Sequence, residues 1–255
     1  MTWNKEYYRE LCSRFSSIVD TLDDRISAIS DGTVNPILER LAIGSAKKYR
    51  ASVIFYDICS FSKRVSSSKT EVLNNALITL DVLLPMLINI VFDYGGYVEK
   101  NTGDGIMAIF GVGEDDYKIA DITIESMTTM NYVIKYIVNP FLEKRSIDPV
   151  NGRFGADLGD VYISRIGTSK GRSEHEHSFL TVLGPAANIA SHINDLADEN
   201  QIFVGNNIKK QIGDYRKGFF KDVTPSDWTW IYGDDSSKKY FIWHYDAVRS
   251  DPNSL

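Results

Sequence analysis

The sequence predicts an α+β domain with a mixed, mostly antiparallel sheet, and three observations support this fold class. The apolar, β-rich segment 51–57 is typical of a buried strand, and it ends in an acid, Asp57. A long apolar stretch follows and closes at two glycines, which predicts a helix over about 69–94. Residues 97–110 form two apolar runs around a glycine-flanked Asp104, as in a tight β-hairpin.

The two acids are expected to lie side by side. A right-handed crossover through the long helix would place strand 51–57 beside the hairpin in one sheet. Asp57 and Asp104 would then face each other across adjacent strands. Gly103 and Gly105 leave room around the Asp104 carboxylate, which suits a metal or a phosphate-bearing ligand. For Asp104 taken alone, a turn-forming aspartate is the plainer alternative.

The second half of the chain predicts further helices and strands. A second long helix is expected over about 116–144, and segment 153–166 alternates around Gly159-Asp160, which predicts a second hairpin. The remaining expected elements, in chain order, are a strand at 181–183, a helix from Pro185, a strand at 201–205, a short helix at 206–212 and a closing strand at 238–245.

The N-terminal part is expected to be a helical extension. Between residues 3 and 29, apolar side chains recur at three- and four-residue steps, so one face of a helix must be covered by its own domain or by a partner helix. A second short helix is expected from Asn35-Pro36 to about Ile43. We therefore divide the chain into an extension at 1–47, one domain at 48–248 and a tail at 249–255.

Composition restricts the partners. The net charge of -6 and the pI of about 5.3 argue against nucleic acid or an anionic membrane, because both prefer a basic face. Cys12 and Cys59 match no metal or redox spacing, which favours reduced thiols. The longest apolar run, 77–92, is interrupted by polar residues and is expected to be a core helix. The sequence thus predicts a cytoplasmic protein without a nucleic-acid or membrane partner.

Four segments, in order over about residues 48–245, resemble the class III nucleotidyl cyclase domain. They are FYDICSFS, YGGYVEKNTGDGIMAIFG, RFGADLGDVYISRIG and FLTVLGPAANIASHIND. The resemblance implies a ferredoxin-like βαββαβ palm and a head-to-tail homodimer with active sites between the subunits. It also implies conversion of a nucleoside triphosphate into a 3′,5′-cyclic monophosphate and pyrophosphate.

The resemblance implies two divalent cations, Mn²⁺ or Mg²⁺, as cofactors. Asp57 and Asp104 match the metal-binding pair, and the Ile58 carbonyl would complete the second site. Two such ions lower the pKa of the attacking 3′-hydroxyl and neutralise the triphosphate. Backbone N–H groups at the next turn would hold the β- and γ-phosphates, and they belong to Cys59, Ser60 and Phe61.

Further substrate contacts follow from the same resemblance. Arg153 would bind the triphosphate and Asn188 would orient the ribose. Lys100 and Thr181 would contact the base, with Lys100 serving the opposite site of the dimer. His192 stands where the family has a transition-state arginine, and a neutral histidine stabilises phosphate charge less well than a guanidinium.

Protonation of His192 or a different basic residue would compensate for the missing arginine. Arg165, Lys170 and Arg172 are candidates for that substitution. For the family's C-terminal phosphate-binding lysine, Lys238 or Lys239 would serve.

The overall build resembles most the bacterial pyrimidine cyclases of the Pycsar antiphage systems, which supply cyclic UMP or cyclic CMP to a separate effector. This favours UTP as substrate and cyclic UMP as product, with cytidylate or adenylate cyclase as alternatives. An alternative of another class is a degenerate, non-catalytic nucleotide-binding or dimerisation module, which His192 supports. Retention of both Asp57 and Asp104 argues against it. Diguanylate cyclases have a similar acidic hairpin, but a downstream helix like the one that carries Asn188 here is foreign to that family, which argues against this assignment.

Overall fold

A computed structural model describes residues 28, 30–31, 41–169, 176–232 and 235–248. The expected helices at 3–29 and from Asn35, and the tail at 249–255, fall almost wholly outside these ranges and stay predictions. The division of the chain at residues 47 and 248 likewise stays a prediction.

Within the described residues, nine strands form one mixed sheet in which most neighbours are antiparallel. The strands are β1 (Ser30–Asp31), β2 (Ala46–Ile58), β3 (Tyr97–Asn101), β4 (Gly105–Phe110), β5 (Gly152–Ser169), β6 (Glu176–Leu183), β7 (Ile202–Gly205), β8 (Phe220–Asp222) and β11 (Ile242–Tyr245), and a separate ribbon contains β9 (Ile231–Tyr232) and β10 (Asp235–Lys239). The strand order in the sheet is β3-β4-β2-β5-β7-β11-β8, with β1 beside β2 and β6 beside β5. The α+β fold class is thus confirmed.

The helices cover both faces of this sheet. The long helices predicted at 69–94 and 116–144 are confirmed, although the second one includes a π-helical turn at Ile134–Val138. The helices are α1 (Phe61–Arg64), α2 (Thr70–Asp93), α3 (Asp116–Val133), α4 (Asn139–Lys144), α5 (Pro185–Leu196), α6 (Asn206–Gln211) and α7 (Asp214–Lys217).

Helix α2 is a core helix, as its interrupted apolar run predicts. By length and composition it is also the one described helix that could cross a membrane. Its residues Leu83, Leu87 and Val91 are completely buried, however, and they share a cluster with Ile54 and Phe110 of the sheet. Burying such side chains stabilises the fold by about 1.5–3 kcal/mol each, so this face of α2 is held by the domain itself.

Helix α5 packs closely on the opposite face of the sheet. At Gly155 of β5, an added Cβ would lie 2.2 Å from the backbone nitrogen of Asn194. At Gly159, it would lie 3.2 Å from the Cβ of Ala186. The two glycines therefore let the helix run directly over β5.

The prediction of a hairpin at 153–166 is wrong, because β5 is one continuous strand of 18 residues. It pairs with β2 in unbroken antiparallel register, including Gly159 opposite Ala51 and Asp160 opposite Arg50. Gly159 serves the approach of α5 rather than a turn. The polar Asp160 is explained by its ion pairs with Arg50 and Lys48.

Two strand boundaries also differ from expectation. The short strand at 181–183 is the end of the longer β6. The closing strand is shorter than 238–245, because residues up to Lys239 pair with β9 in the separate ribbon and only β11 joins the sheet. The strand at 201–205 and the helices from Pro185 and Asn206 are confirmed.

Candidate active site

The carboxyl end of β2 brings the two predicted metal-binding acids together. In the β2–β4 ladder, Asp57 lies opposite Gly105, the residue after Asp104. The Ile58 N–H donates to the Asp104 carbonyl at 3.3 Å. A Cβ at Gly105 would lie 2.1 Å from the Tyr56 carbonyl oxygen, so glycine is required for this approach. The prediction that the two acids lie across adjacent strands is confirmed.

The charge of this corner suits a divalent cation. Partial burial raises the pKa of Asp104, and the neighbouring Asp57 carboxylate raises it further by charge repulsion and a side-chain hydrogen bond. A cation between two such carboxylates would favour their ionised forms. The described residues contain no group of three or more His, Cys, Asp and Glu suited to a metal. Carbonyl, water and phosphate oxygens would therefore have to complete the coordination.

Arg153 lies against Asp57, the first of the two acids predicted to bind metal. The β2–β5 register places it opposite Asp57, and its Nη2 donates to Asp57 Oδ2 at 3.2 Å. The same guanidinium contacts Asp195 at the end of α5, through Nη2 to Oδ1 at 3.3 Å and Nη1 to the carbonyl at 3.1 Å. We call the end of β2 and the adjoining β3–β4 turn, which carry Asp57 and Asp104, the metal corner after the predicted role of these acids. Arg153 thus joins the metal corner to α5.

Asp195 is a site residue that the sequence analysis missed. A signal was present, since Asp195 follows Asn188 by two helical turns and therefore lies on the same face of α5. An acid on that face has a clear role only once the β2–β5 register shows which cation it meets.

The turn after β2 carries the three N–H groups predicted to bind phosphate, and one of these donors is already engaged. Ser60 has φ 60° and precedes the short helix α1. The Cys59 N–H donates to the Asn151 carbonyl at 2.8 Å. For the N–H groups of Ser60 and Phe61, the described part of the chain shows no backbone acceptor. These two are the better candidates for a phosphate.

A β-bulge sets the direction of Lys100. In the β3–β4 ladder, Val98 pairs with Ala108 but Lys100 pairs with Met107, so Glu99 is an extra residue. Since successive side chains alternate between faces, the bulge turns Lys100 toward the α5 side, where Met107 packs. Lys100 is half exposed, and its Nζ lies 3.2 Å from a carboxylate oxygen of Glu99.

Asn188 and His192 lie one turn apart on the exposed face of α5. The His192 ring meets the edge of Trp230, with a centroid distance of 5.2 Å and an interplanar angle of 84°. Trp230 lies in a segment for which the sequence predicted no element. Its contact with His192 depends on how that segment folds back over α5.

Thr181 is not close to the metal corner of its own chain. It pairs with Ser164 of β5, which in turn pairs with Ala46 at the opposite end of β2. Asp57 lies about eleven residues further along β2, roughly 36 Å at 3.3 Å per residue. One nucleoside triphosphate cannot reach from Thr181 to Asp57 along this path.

Thr181 is surrounded by exposed apolar side chains on one face of the β5–β6 pair. Tyr162 pairs with Leu183 and Ile166 with Phe179, and the Ser164–Thr181 pair lies between them. All four apolar residues are exposed, and Phe179 is 72% exposed. An exposed apolar patch of this kind is typical of an interaction surface.

The other basic candidates differ in their engagement. Arg165 ties β5 to its surroundings, through Nε to Ser178 Oγ at 2.9 Å and Nη1 to the Leu41 carbonyl at 3.2 Å. Lys170 and Arg172 lie outside the described residues. Lys238 forms an ion pair with Asp235, whereas Lys239 is exposed at the end of β10, paired with Ile231.

Comparison with known proteins points to one family. The family model described as the adenylate and guanylate cyclase catalytic domain matches residues 44–244. A cytidylate cyclase from Staphylococcus aureus is 27% identical over 166 residues, which cover 62% of this chain and 36% of the relative. A terminal-differentiation specific adenylate cyclase from Dictyostelium discoideum is 26% identical over 169 residues, which cover 64% and 7%. The chain thus matches about a third or less of these relatives' length.

Solved structures show the same fold at low sequence identity. The guanylyl cyclase Cya2 superposes with a TM-score of 0.64 at 18% identity, covering 82% of this chain and 96% of that one. The adenylyl cyclase CyaB from P. aeruginosa gives 0.63 at 20%, covering 81% and 98%. Because the family model spans most of the chain and includes both metal-corner acids, the chain belongs to the class III adenylate and guanylate cyclase catalytic domain family.

Proposed function

We propose that this domain is a uridylate cyclase, which converts UTP into 3′,5′-cyclic UMP and pyrophosphate in a homodimer with shared active sites. The observation that carries the proposal is the adjacency of Asp57 and Asp104 at neighbouring strand ends, with Arg153 beside them. A non-catalytic module has no chemical need for two carboxylates held so close that one raises the pKa of the other.

Asp57, Asp104 and the Ile58 carbonyl would hold two divalent cations, Mn²⁺ or Mg²⁺. Bound there, the ions would lower the pKa of the 3′-hydroxyl and offset the triphosphate charge. The N–H groups of Ser60 and Phe61, at the turn into α1, would orient the terminal phosphates. Arg153 would add a permanent charge, and Asp195 would hold its guanidinium in place.

The long separation between Thr181 and Asp57 supports the shared site. A second copy of the chain, arranged head to tail, would bring its own Lys100, Thr181 and Asn188 to the metal corner of the first. The exposed apolar face around Thr181 would be covered in such a dimer.

His192 would contact the α-phosphate as charge develops there. A protonated imidazole donates one hydrogen bond toward a given oxygen, whereas an arginine offers a planar fork. Lys239 would supply additional charge, because Lys238 is already paired with Asp235.

The choice of base rests on resemblance. A pyrimidine is supported by the Staphylococcus relative, whose name is cytidylate cyclase. CTP is therefore the second candidate substrate, and ATP follows from the Dictyostelium relative. A cyclic pyrimidine nucleotide would act as a second messenger in antiphage defence and would be sensed by a separate effector.

The test offers the four ribonucleoside triphosphates to purified protein with Mn²⁺ or Mg²⁺ and identifies the products by mass spectrometry. Cyclic UMP is expected, with activity abolished in Asp57→Asn and Asp104→Asn and kept in Asp93→Asn, an exposed acid at the end of α2. Cyclic CMP as the main product would move the assignment to CTP. Cyclic AMP alone would overturn the pyrimidine assignment, and no turnover of any triphosphate would favour the non-catalytic module.

A further inference from the structure

A tryptophan-containing segment lies against α5 beside the proposed site. We name residues 228–232 and 235–240 the Trp arm, which includes the β9–β10 ribbon. Trp228 packs on a small cluster that contains Ile193 of α5. Trp230 follows, with ring centroids 4.5 Å from those of Trp228, and meets the edge of His192. One indole is thus partly buried against a core cluster, and the next contacts the exposed histidine.

The far end of the arm is tied to the sheet. Tyr240 is almost fully buried, and its hydroxyl donates to Asp157 Oδ1 at 2.6 Å. Asp157 is completely buried on the α5 side of β5. A Cβ at Gly205 would lie 2.3 Å from the same carboxylate oxygen, so the pocket closely fits the Asp157–Tyr240 pair.

Tyr240 also holds Trp230 in place, through a hydrogen bond between their backbones. The Tyr240 N–H donates to the Trp230 carbonyl at 2.8 Å, across the base of the ribbon. Trp230 is therefore fixed from two directions, by Tyr240 through the main chain and by Trp228 through ring packing. Such an indole is a rigid surface for a neighbouring side chain.

His192 needs such a surface. It is exposed on α5, where an unsupported imidazole would exchange between rotamers. A single N–H donor must be aimed, whereas a guanidinium presents several donors in a fixed fork. An edge-to-face ring contact is favoured beyond the area that it buries, so Trp230 restricts the orientations of the His192 ring.

We propose that Trp230 is a positioning residue that fixes the His192 imidazole on the Asn188 face of α5, with the Trp arm anchored at Asp157 as its support. The role of His192 toward the phosphate rests on the proposed function, but the ring contact does not. The two ideas are therefore tested by different measurements.

The first measurement is NMR of protein with ¹³C-labelled histidine. The chain has four histidines, and His192→Gln identifies the His192 ring signal by its loss. In Trp230→Ala, the His192 signal is expected to move toward that of a histidine without an aromatic neighbour, because the magnetic effect of the indole ring is lost. Ile231→Ala, an exposed neighbour on the same arm, should leave the signal in place. An unchanged His192 signal in Trp230→Ala would overturn the proposal, whether or not the protein proves to be a cyclase.

The second measurement is steady-state cyclisation kinetics. Trp230→Ala is expected to lower kcat about tenfold with KM changed less than twofold, because positioning acts in the transition state. Trp230→Phe should restore most of the loss, and Ile231→Ala should behave as wild type. The double variant Trp230→Ala, His192→Gln should be no slower than His192→Gln alone.

Two kinetic results would contradict the positioning role. One is that the losses from Trp230→Ala and His192→Gln multiply, since independent residues give additive free energies. The other is that Trp230→Phe is as slow as Trp230→Ala while both variants keep the wild-type melting temperature. If wild-type protein cyclises no triphosphate, the proposed function fails, and the NMR result alone decides the role of Trp230.

Discussion

Replacing Arg153 with glutamine is expected to tighten the binding of Mn²⁺ to the nucleotide-free protein, although it removes a residue proposed to bind substrate. Arg153 Nη2 lies 3.2 Å from Asp57 Oδ2, so its positive charge lies beside a carboxylate that we propose to bind metal. A cation that enters the corner is repelled by this guanidinium and competes with it for Asp57. Glutamine has a shorter side chain that keeps an N–H donor but removes the charge.

The size of the effect follows from the geometry. Two unit charges about 4 Å apart interact by about 4 kcal/mol at an effective dielectric constant of 20. Arg153 and Asp57 are 25% and 29% exposed, and Asp195 shares the guanidinium, so solvent and the second acid reduce this value. We expect about 1–2 kcal/mol of net effect, which is roughly a tenfold lower Kd for Mn²⁺.

The assay is a Mn²⁺ titration followed by the electron paramagnetic resonance signal of the free ion. Arg145→Gln is the matched control, because it removes the same charge from an exposed position beside Phe141. Asp195→Asn should act in the opposite direction, since Arg153 would be left to Asp57 alone. Equal or weaker Mn²⁺ binding by Arg153→Gln would refute the competition. Asp57→Asn should remove the tight phase, which identifies the site that is titrated.

Three further outcomes are expected. Mixing Asp57→Ala and Lys100→Ala chains should restore about a quarter of wild-type cyclisation, because half of randomly formed dimers are mixed and each mixed dimer has one intact shared site; no recovery would contradict the head-to-tail arrangement. Burial raises the pKa of Asp157 to about 7, above the value of 3.8 in the unfolded chain. The folded state therefore holds this proton more tightly, and the stability that it provides is complete below pH 3.8 and is lost as the pH rises through 7. Urea unfolding should therefore show wild type losing roughly 2–3 kcal/mol more than Asp157→Asn between pH 5 and pH 8, and parallel curves would show that burial does not perturb this acid. Phe179→Asp should shift a dimer to monomer in size-exclusion chromatography and abolish cyclisation. Phe92→Asp is the control, since Phe92 is an equally apolar residue exposed on α2, and this variant should keep both the dimer and the activity.

The metal corner could be predicted from the sequence because its determinants are local. A buried strand that ends in Asp57, and a hairpin with glycines around Asp104, each carry a pattern within a few residues. One crossover rule then brings the two together. The helices at 69–94 and 116–144 were equally predictable, since each carries its own apolar stripe.

The residues that were missed depend on partners distant in sequence. The dipeptide Gly159-Asp160 is typical of a turn. Only the position of α5 shows that Gly159 is where the helix approaches the strand closely. The bulge at Glu99 is a property of the pairing between β3 and β4, and no local signal fixes which residue is extra. Asp195 and Trp230 are assigned by the side chains that they meet, and those side chains belong to other elements.

The length of β2 has a consequence for how the activity would depend on protein concentration. Its 13 residues separate the metal corner from the end where Thr181 pairs with β5. In the proposed dimer, a lone chain therefore holds the metal-binding half of one site and the base-binding half of the other. An enzyme built in this way loses specific activity on dilution below its dimer dissociation constant. At a concentration below that constant the chain would be mostly monomeric and inactive. A modest rise in its concentration would then increase the rate of product formation by a larger factor than the concentration itself.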